Sequence, residues 1–329
     1  MNKVLLVESI RPSGLKILHD AGLEVMVSPS TDTETLVQQV QNGVFAIIVR
    51  ASKLDGRVIE AGKDLKLVVR HGAGYNNIDV EAATRRNIPV VNVPDANTYG
   101  VAEYVTGMII ALSRKFFEGD AALRSGKLCQ SGVSLVGLTS KYKLGGNEVP
   151  GKRLGIIGLG RIGMQLAEMV HTILDMEIIA YDPFRKEVPS WIRMVSDSNE
   201  VYREADFVSL NALVTKETEN MVSTAQLALM KPTAYLINAS RGELVDEPAL
   251  IDALKQGKIA GAAIDVFKEE PPQLTNPLLS APNLIITPHV AGVADEAIEK
   301  IATGAARAVA DFAQGKKPVN VVNPSIWQK

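Results

Sequence analysis

The chain has 329 residues, long for one hydrophobic core and comfortable for two domains. Lys and Arg number 35 against 37 Asp and Glu, so a net charge of −2 supplies no basic field for nucleic acid or an anionic membrane, and no segment approaches the ~20 apolar residues of a membrane span. The single cysteine, Cys129, excludes an internal disulfide and fits a reducing compartment. The N-terminus "MNKVLLVESIRP" meets Glu8 and Arg11 too early for a signal-peptide core, so a cytoplasmic location is expected.

In chain order, "KVLLVES" (3–9) predicts a strand and "PSGLKILHDAG" (12–22) a helix. "LEVMVSP" (23–29) and "VFAIIVRAS" (44–52) are strands, separated by the helix "DTETLVQQVQNG" (32–43). "GRVIEAGKDL" (56–65) is a helix, and "KLVVRHGAG" (66–74) and "IPVVNVPDA" (88–96) are strands around the helix "DVEAATRRN" (79–87). Continuous apolar strands alternating with helices predict a parallel sheet covered on both faces. One long helix is expected from about 99 to 125. The stretch 126–152, rich in Gly and Ser and without periodicity, reads as a loop or linker. A second alternating series starts at Lys152, with strands at "KRLGIIG", "EIIAYDP", "ADFVSLNAL", "AYLINAS", "AGAAIDVF" and "NLIITPHV". Helix resumes from Asp295 to Gln314, and the tail is extended.

"GLGRIG" (158–163) places Gly158, Gly160 and Gly163 between an apolar strand and an apolar-periodic helix. The first glycine permits a tight turn, the second lets backbone approach a pyrophosphate, and the third lets helix pack on strand. The helix N-terminus then offers unpaired N–H groups to phosphates. Asp182 ends the next strand, 24 positions after Gly158 (182 − 158), where an acidic residue binds an adenosine ribose and disfavours a 2′-phosphate. NAD is therefore the expected cofactor, in preference to NADP.

Three further residues follow predicted strands of this series: Arg241 after "AYLINAS", Glu270 after "AGAAIDVFKE" and His289 after "NLIITP". Ligands of doubly wound sheets bind beyond the carboxyl ends of the strands, so all three can face one crevice. Arg241 suits a carboxylate, with its fork of donors. His289 suits proton transfer near neutral pH, with Glu270 orienting its ring. Taken singly, each is equally at home in a turn or a solvated loop; together, behind a nucleotide fingerprint, they fit hydride transfer to a 2-keto acid.

The stretches "VRHGAGYNNID", "VAEYVTGMIIAL", "GKRLGIIGLGRIG", "AYLINASRGELVDEPAL", "GAAIDVFKEEPP" and "NLIITPHVAG" cover much of the chain. In them it resembles the D-2-hydroxyacid dehydrogenase family, and most its phosphoglycerate dehydrogenase branch. The resemblance implies an α/β fold of two doubly wound parallel-sheet domains. Residues 1–100 plus 295–329 would form a flavodoxin-like substrate domain and 101–294 a Rossmann NAD-binding domain, closing about the residues near 100 and 293. It implies Arg241, Glu270 and His289 as catalytic. It implies Gly158, Gly160, Arg161, Ile162, Gly163, Asp182, Ala239 and Asp265 as cofactor-binding, with Asp265 on the nicotinamide carboxamide. Gly72, Ala73 and Gly74 would hold the substrate carboxylate, Arg50 would meet a phosphate, and Tyr99 would line the pocket. No metal is expected. A homodimer is, with a small 2-hydroxy or 2-keto acid as substrate.

Some positions depart from that pattern. The 126–151 stretch is long, and Asn211-Ala212 stands where the family more often has His or Cys followed by Pro. Nothing after residue 329 supplies a regulatory domain, so serine feedback is not expected. The competing reading is an NAD(H)-sensing binding protein on the same fold, like the C-terminal-binding-protein corepressors.

Overall fold

The computed structural model describes residues 1–327. The chain divides into two compact units, Met1–Thr98 with Val293–Lys329, and Tyr99–Gly292.

In the first unit, β1 (Lys3–Leu6), β2 (Glu24–Val27), β3 (Val44–Val49), β4 (Leu67–Arg70) and β5 (Val90–Val91) form an all-parallel sheet in the order β2-β1-β3-β4-β5. This is the flavodoxin-like order, with its switch point between β1 and β3. Alternate residues of each strand feed opposite layers, so both faces must be apolar. Leu5, Ile47, Val49 and Val68 pack with Leu36, Val58 and Ala82, from α2 (Thr33–Val40), α3 (Gly56–Ala61) and α4 (Val80–Arg85). Val4, Leu6, Ile48 and Val69 pack with Leu18 of α1 (Pro12–Asp20) and with Ala302, Ala305, Ala306 and Val309 of the last α-helix, which spans Asp295–Ala313. The small residues of that helix let it come close to α1: a Cβ on Gly14 would stand 2.9 Å from the Ala302 carbonyl oxygen. The tail, expected to be extended throughout, bridges Val91 at Val321 and then closes in a 3-10 turn, Pro324–Trp327; Asn323 pins it, accepting from the Val90 N–H and donating to Thr84 and to the Ile88 carbonyl.

In the second unit, β6 (Arg153–Ile157), β7 (Glu177–Tyr181), β8 (Ile192–Met194), β9 (Phe207–Leu210), β10 (Tyr235–Asn238), β11 (Gly261–Ile264) and β12 (Leu284–Ile286) form a second all-parallel sheet. Its order is β12-β11-β10-β9-β6-β7-β8, the dinucleotide-binding arrangement with one added strand and a switch point between β6 and β9. The α/β architecture expected from the alternating pattern is the one observed.

Three local expectations need correction. The long helix is two helices, α5 (Thr98–Arg114) and α6 (Phe116–Arg124), divided at Lys115, whose φ of 53° is left-handed. The cause is a returning segment: the Asn147 N–H donates to the Ser113 carbonyl, Ser113 Oγ donates to the Asn147 carbonyl, and Lys115 Nζ caps the Lys143 carbonyl. The carbonyl that would continue the helix is thereby taken. The 126–152 stretch is not all loop, since it contains α7 (Leu135–Lys141), seated on a satellite core of Ala122, Leu128 and Leu138. Finally, the apolar pattern does not predict β8. It is a three-residue edge strand with one buried residue, held by Arg193 pairing with Glu204 and Glu200.

One buried base gives this fold a measurable acid sensitivity. His71 follows β4, donates its backbone N–H to the Val49 carbonyl, and is 6% exposed. Burial pushes its imidazole down from 6.5 to about 4, with Arg50 and Arg70 adding to the effect. Between those values the unfolded chain binds a proton that the folded chain refuses, so stability falls as pH drops through the window, by roughly 3 kcal/mol in total. Melting temperatures of wild type and His71→Asn are to be taken from neutral pH to about pH 4, and the wild type is expected to fall relative to the variant across that range.

Candidate active site

The glycine loop joins β6 to α8 (Arg161–Leu174) at the switch point of the second sheet. Gly158 has a φ of 92°, and a Cβ there would stand 2.7 Å from the Asn211 carbonyl oxygen at the end of β9. A Cβ on Gly163 would strike the Gly158 carbonyl, so the helix start lies directly on the turn. At Gly160, the N-cap of α8, nothing lies within 4 Å of the Cβ position and no side chain caps the helix. An α-helix of fourteen residues thus turns its first-turn N–H groups, at Arg161, Ile162 and Gly163, toward the loop, and the glycine N-cap has no side chain to cover them. This cradle fits a dinucleotide pyrophosphate, which binds by such groups.

Asp182, just past β7, accepts from the Leu159 N–H at 2.8 Å and from the N–H groups of Phe184 and Arg185 at 2.8 and 3.2 Å. It therefore braces the glycine loop against the next strand, a role not read from the sequence. Asn211 donates to the carbonyl and hydroxyl of Ser209, and Ser240 Oγ donates to the Ala212 carbonyl. The departure at 211–212 is thus absorbed by local hydrogen bonds. Ala239 is half-buried against the core beneath the loop.

Arg241, Glu270 and His289 all belong to this unit and stand past β10, β11 and β12 in turn. Asn238, 1% exposed at the end of β10, holds the turn to Arg241: it donates to the Arg241 carbonyl and accepts from the Ser240 N–H. A polar residue closing an otherwise apolar strand was the signal for it. The Arg241 guanidinium donates to the Ser240 carbonyl at 2.6 Å. Burial lowers it from its ordinary value, opposed by the carboxylates of Glu243 and Glu270. Gly242 follows, and a Cβ there would collide with the backbone of Phe267 and Lys268. That contact lays the 267–270 turn against Arg241.

Glu270 accepts from the Phe267 N–H with Oε1 and meets His289 Nδ1 with Oε2 at 2.8 Å. A carboxylate on Nδ1 fixes the tautomer and leaves Nε2 for a ligand. Both residues line an apolar cavity of about 360 Å³, together with Phe267, Pro271, Pro272, Leu279, Ile286 and Pro288. His289 itself has a φ of 56°, unusual for a residue with a Cβ. Asp265 maintains it: its carbonyl accepts from the His289 N–H at 2.7 Å, and its carboxyl oxygens accept from the N–H groups of Val290 and Ala291.

The remaining expected residues sit in the first unit, except Tyr99, the second residue of α5, which falls in the second unit and is 57% exposed. Arg50 follows β3 at the switch point of the first sheet. Glu8, past β1, accepts from the N–H groups of Arg50, Ala51 and Ser52 at 2.8–3.0 Å, and Arg50 Nη1 donates to the Ser9 carbonyl. Asn77 donates to the carbonyls of Arg50 and Ser52. Gly72, Ala73 and Gly74 follow β4, and Asn92 donates to the Ala73 carbonyl. Gly72 has a φ of 139°, and the Arg70 guanidinium lies 2.9 Å from where its Cβ would be. The sequence alone does not mark Glu8, Asn77 and Arg70 as structural supports. Among the described residues no cluster of His, Cys, Asp or Glu is arranged to hold a metal, and no helix is long and apolar enough to cross a membrane.

Replacing Gly242 by Ala is expected to push the 267–270 turn away from Arg241 and to destabilise the protein by about 1–3 kcal/mol, the usual range for overpacking. A urea midpoint equal to wild type would contradict that packing.

The sequence model described as the NAD-binding domain of D-isomer-specific 2-hydroxyacid dehydrogenases matches residues 106–291. The chain is 38% identical over its full length to a D-3-phosphoglycerate dehydrogenase of Methanocaldococcus jannaschii, of which it spans 61%. Among solved structures it is similar to the TT0316 protein of Thermus thermophilus, with a TM-score of 0.87 and 30% identity, covering 97% of this chain and 99% of that one. It is also similar to an NADPH-dependent glyoxylate/hydroxypyruvate reductase of Sinorhizobium meliloti, with a TM-score of 0.85 and 27% identity, covering 98% and 96%. The chain belongs to the D-isomer-specific 2-hydroxyacid dehydrogenase family.

Proposed function

We propose that this chain is an NAD-dependent D-2-hydroxyacid dehydrogenase, interconverting a small 2-keto acid and its 2-hydroxy acid. The observation that carries the reading is the Glu270–His289 pair, 2.8 Å apart, set with Arg241 past the strand ends of the sheet that bears the glycine loop. Bound NAD(H) would supply or accept the hydride. Gly158, Gly160, Arg161, Ile162 and Gly163 would hold its pyrophosphate, Asp182 its ribose, and Ala239 and Asp265 its nicotinamide end. The Asp182 carboxylate supports NAD over NADP, because a 2′-phosphate would meet like charge.

Arg241 binds the substrate carboxylate and polarises the adjacent carbonyl with its fork of donors. His289 donates a proton from Nε2 to the carbonyl oxygen as C2 is reduced, and removes the hydroxyl proton in the reverse direction. Glu270 keeps the ring oriented throughout. The Tyr99–Gly292 unit would serve the cofactor and the proton transfer. Gly72, Ala73, Gly74 and Arg50 of the other unit would serve the substrate, and so would Tyr99. The position of Arg50 at a switch point, with Arg70 on the neighbouring strand end, supports a substrate carrying a second anionic group. Phosphohydroxypyruvate, hydroxypyruvate and glyoxylate are the substrates to test, in line with the activities named for the similar proteins.

We further propose a cytoplasmic homodimer. The exposed thiol of Cys129 fits a reducing compartment. Phe116, Phe117, Leu123, Leu135 and Val136 present apolar surface along α6 and α7, each about half exposed or more, as a self-association face would.

The decisive assay is loss of NADH absorbance with phosphohydroxypyruvate, hydroxypyruvate, glyoxylate and pyruvate, repeated with NADPH. Turnover with NADH and preference for the phosphorylated acid is expected. Binding of NADH without turnover of any of them would favour a sensor instead. Arg241→Lys keeps the charge but loses the fork, so kcat/KM is expected to fall about 100-fold, roughly 3 kcal/mol of transition-state binding. Wild-type kinetics in that variant would remove Arg241 from the substrate.

A further inference from the structure

The hydroxyl of Tyr104, on α5, stands 2.5 Å from Thr287 Oγ1. Thr287 Oγ1 in turn donates to Asp265 Oδ1 at 2.6 Å. The direction of the chain is fixed by chemistry. The threonine proton goes to the carboxyl oxygen, so Tyr104 is the donor in the first bond. Its phenol keeps that proton, because burial pushes it up to about 12, with the bond to Thr287 opposing and the nearby Asp265 adding. Asp265 then meets the turn on three sides. Oδ1 also accepts from Val290, Oδ2 from Ala291, and the carbonyl from His289, whose backbone is left-handed. A left-handed residue with a Cβ persists only where its surroundings hold it.

The bonds also join two distant parts of the chain. The division between units falls at 98/99 and at 292/293. Tyr104 lies just after the first crossing, and Val290 and Ala291 lie just before the second. Both connecting segments are thus fastened, inside one unit, to the same carboxyl group.

We propose that Tyr104 is a positioning residue for His289: the chain Tyr104–Thr287–Asp265 holds the 287–291 turn and so sets the ring that carries the proton. The inference rests on the dehydrogenase reading for its catalytic consequence but not for its structural one. A phenylalanine at 104 would fill the same space and lose only the hydroxyl, which separates this role from packing.

The test uses Tyr104→Phe, Thr287→Val, Thr287→Ser and the double variant Tyr104→Phe/Thr287→Val. In hydrogen exchange, the amides of 289–291 are expected to exchange about tenfold faster in Tyr104→Phe, the scale of one lost hydrogen bond. Thr287→Ser should match wild type, and Thr287→Val should be at least as fast as Tyr104→Phe. In steady-state kinetics with the best 2-keto acid, kcat should fall about tenfold while the KM for the keto acid stays unchanged, the pattern of lost transition-state positioning. The double variant should be no slower than Thr287→Val, because both act through one chain. Unchanged exchange at 289–291 in Tyr104→Phe overturns the proposal. So does a loss that appears in the KM for the keto acid and adds fully in the double variant. If the wild-type protein reduces none of the keto acids, it is the dehydrogenase reading that fails, and the exchange data alone decide the relay.

Discussion

A carboxyl group that is 1% exposed must find donors inside the protein, because none come from water. Asp265 meets that requirement by drawing the turn after β12 onto itself: two backbone N–H groups and a hydroxyl converge on its oxygens, and a third N–H on its carbonyl. The rest of the site depends on this convergence. The backbone of His289 is turned left-handed, its ring swings to Glu270, and the 267–270 turn that carries Glu270 lies on Gly242 beside Arg241. Three side chains past three strand ends are placed by loops that side-chain-to-backbone hydrogen bonds and the close approach at Gly242 hold.

The same logic of placement operates in both sheets. At each switch point two neighbouring crossovers leave in opposite directions, and the carboxyl ends of the central strands are left uncovered. In the second unit that gap receives the glycine loop, squeezed between β6 and the Asn211 carbonyl. In the first it receives Arg50, whose backbone and side chain are held by Glu8, Ser9 and Asn77. Desolvation by burial raises the Glu8 carboxyl, but the N–H groups of Arg50, Ser52 and Ala51 prevail and hold it below its ordinary value. A carboxylate is used there to shape a turn, which leaves an adjacent guanidinium well defined.

Features that depend on local pattern were legible in the sequence. The apolar strands, the glycine spacing and the charged residues just past strand ends all declare themselves within a dozen positions. Features that depend on distant partners were not. Nothing near Lys115 announces a helix break, because the cause is the backbone of Asn147. Nothing in "WIRM" announces a strand, because β8 is an edge held by ion pairs to α9 (Ser198–Glu204) more than by buried area. Tyr104 and Thr287 are separated by 183 positions, and each reads alone as an ordinary helix or loop residue. Asn238 is the exception: a polar residue ending an apolar run could have been flagged as the clasp of the Arg241 turn.

The first unit is discontinuous, and its last α-helix, Asp295–Ala313, arrives some two hundred residues after the strands it covers. On a ribosome, the face made by Val4, Leu6, Ile48 and Val69 would be completed only after the whole second unit has been synthesised. Until then half of that sheet lacks the alanine-rich helix that seals it. The second unit, contiguous from Tyr99 to Gly292, has no such dependence, whereas the nascent first unit carries exposed apolar surface until its last helix arrives.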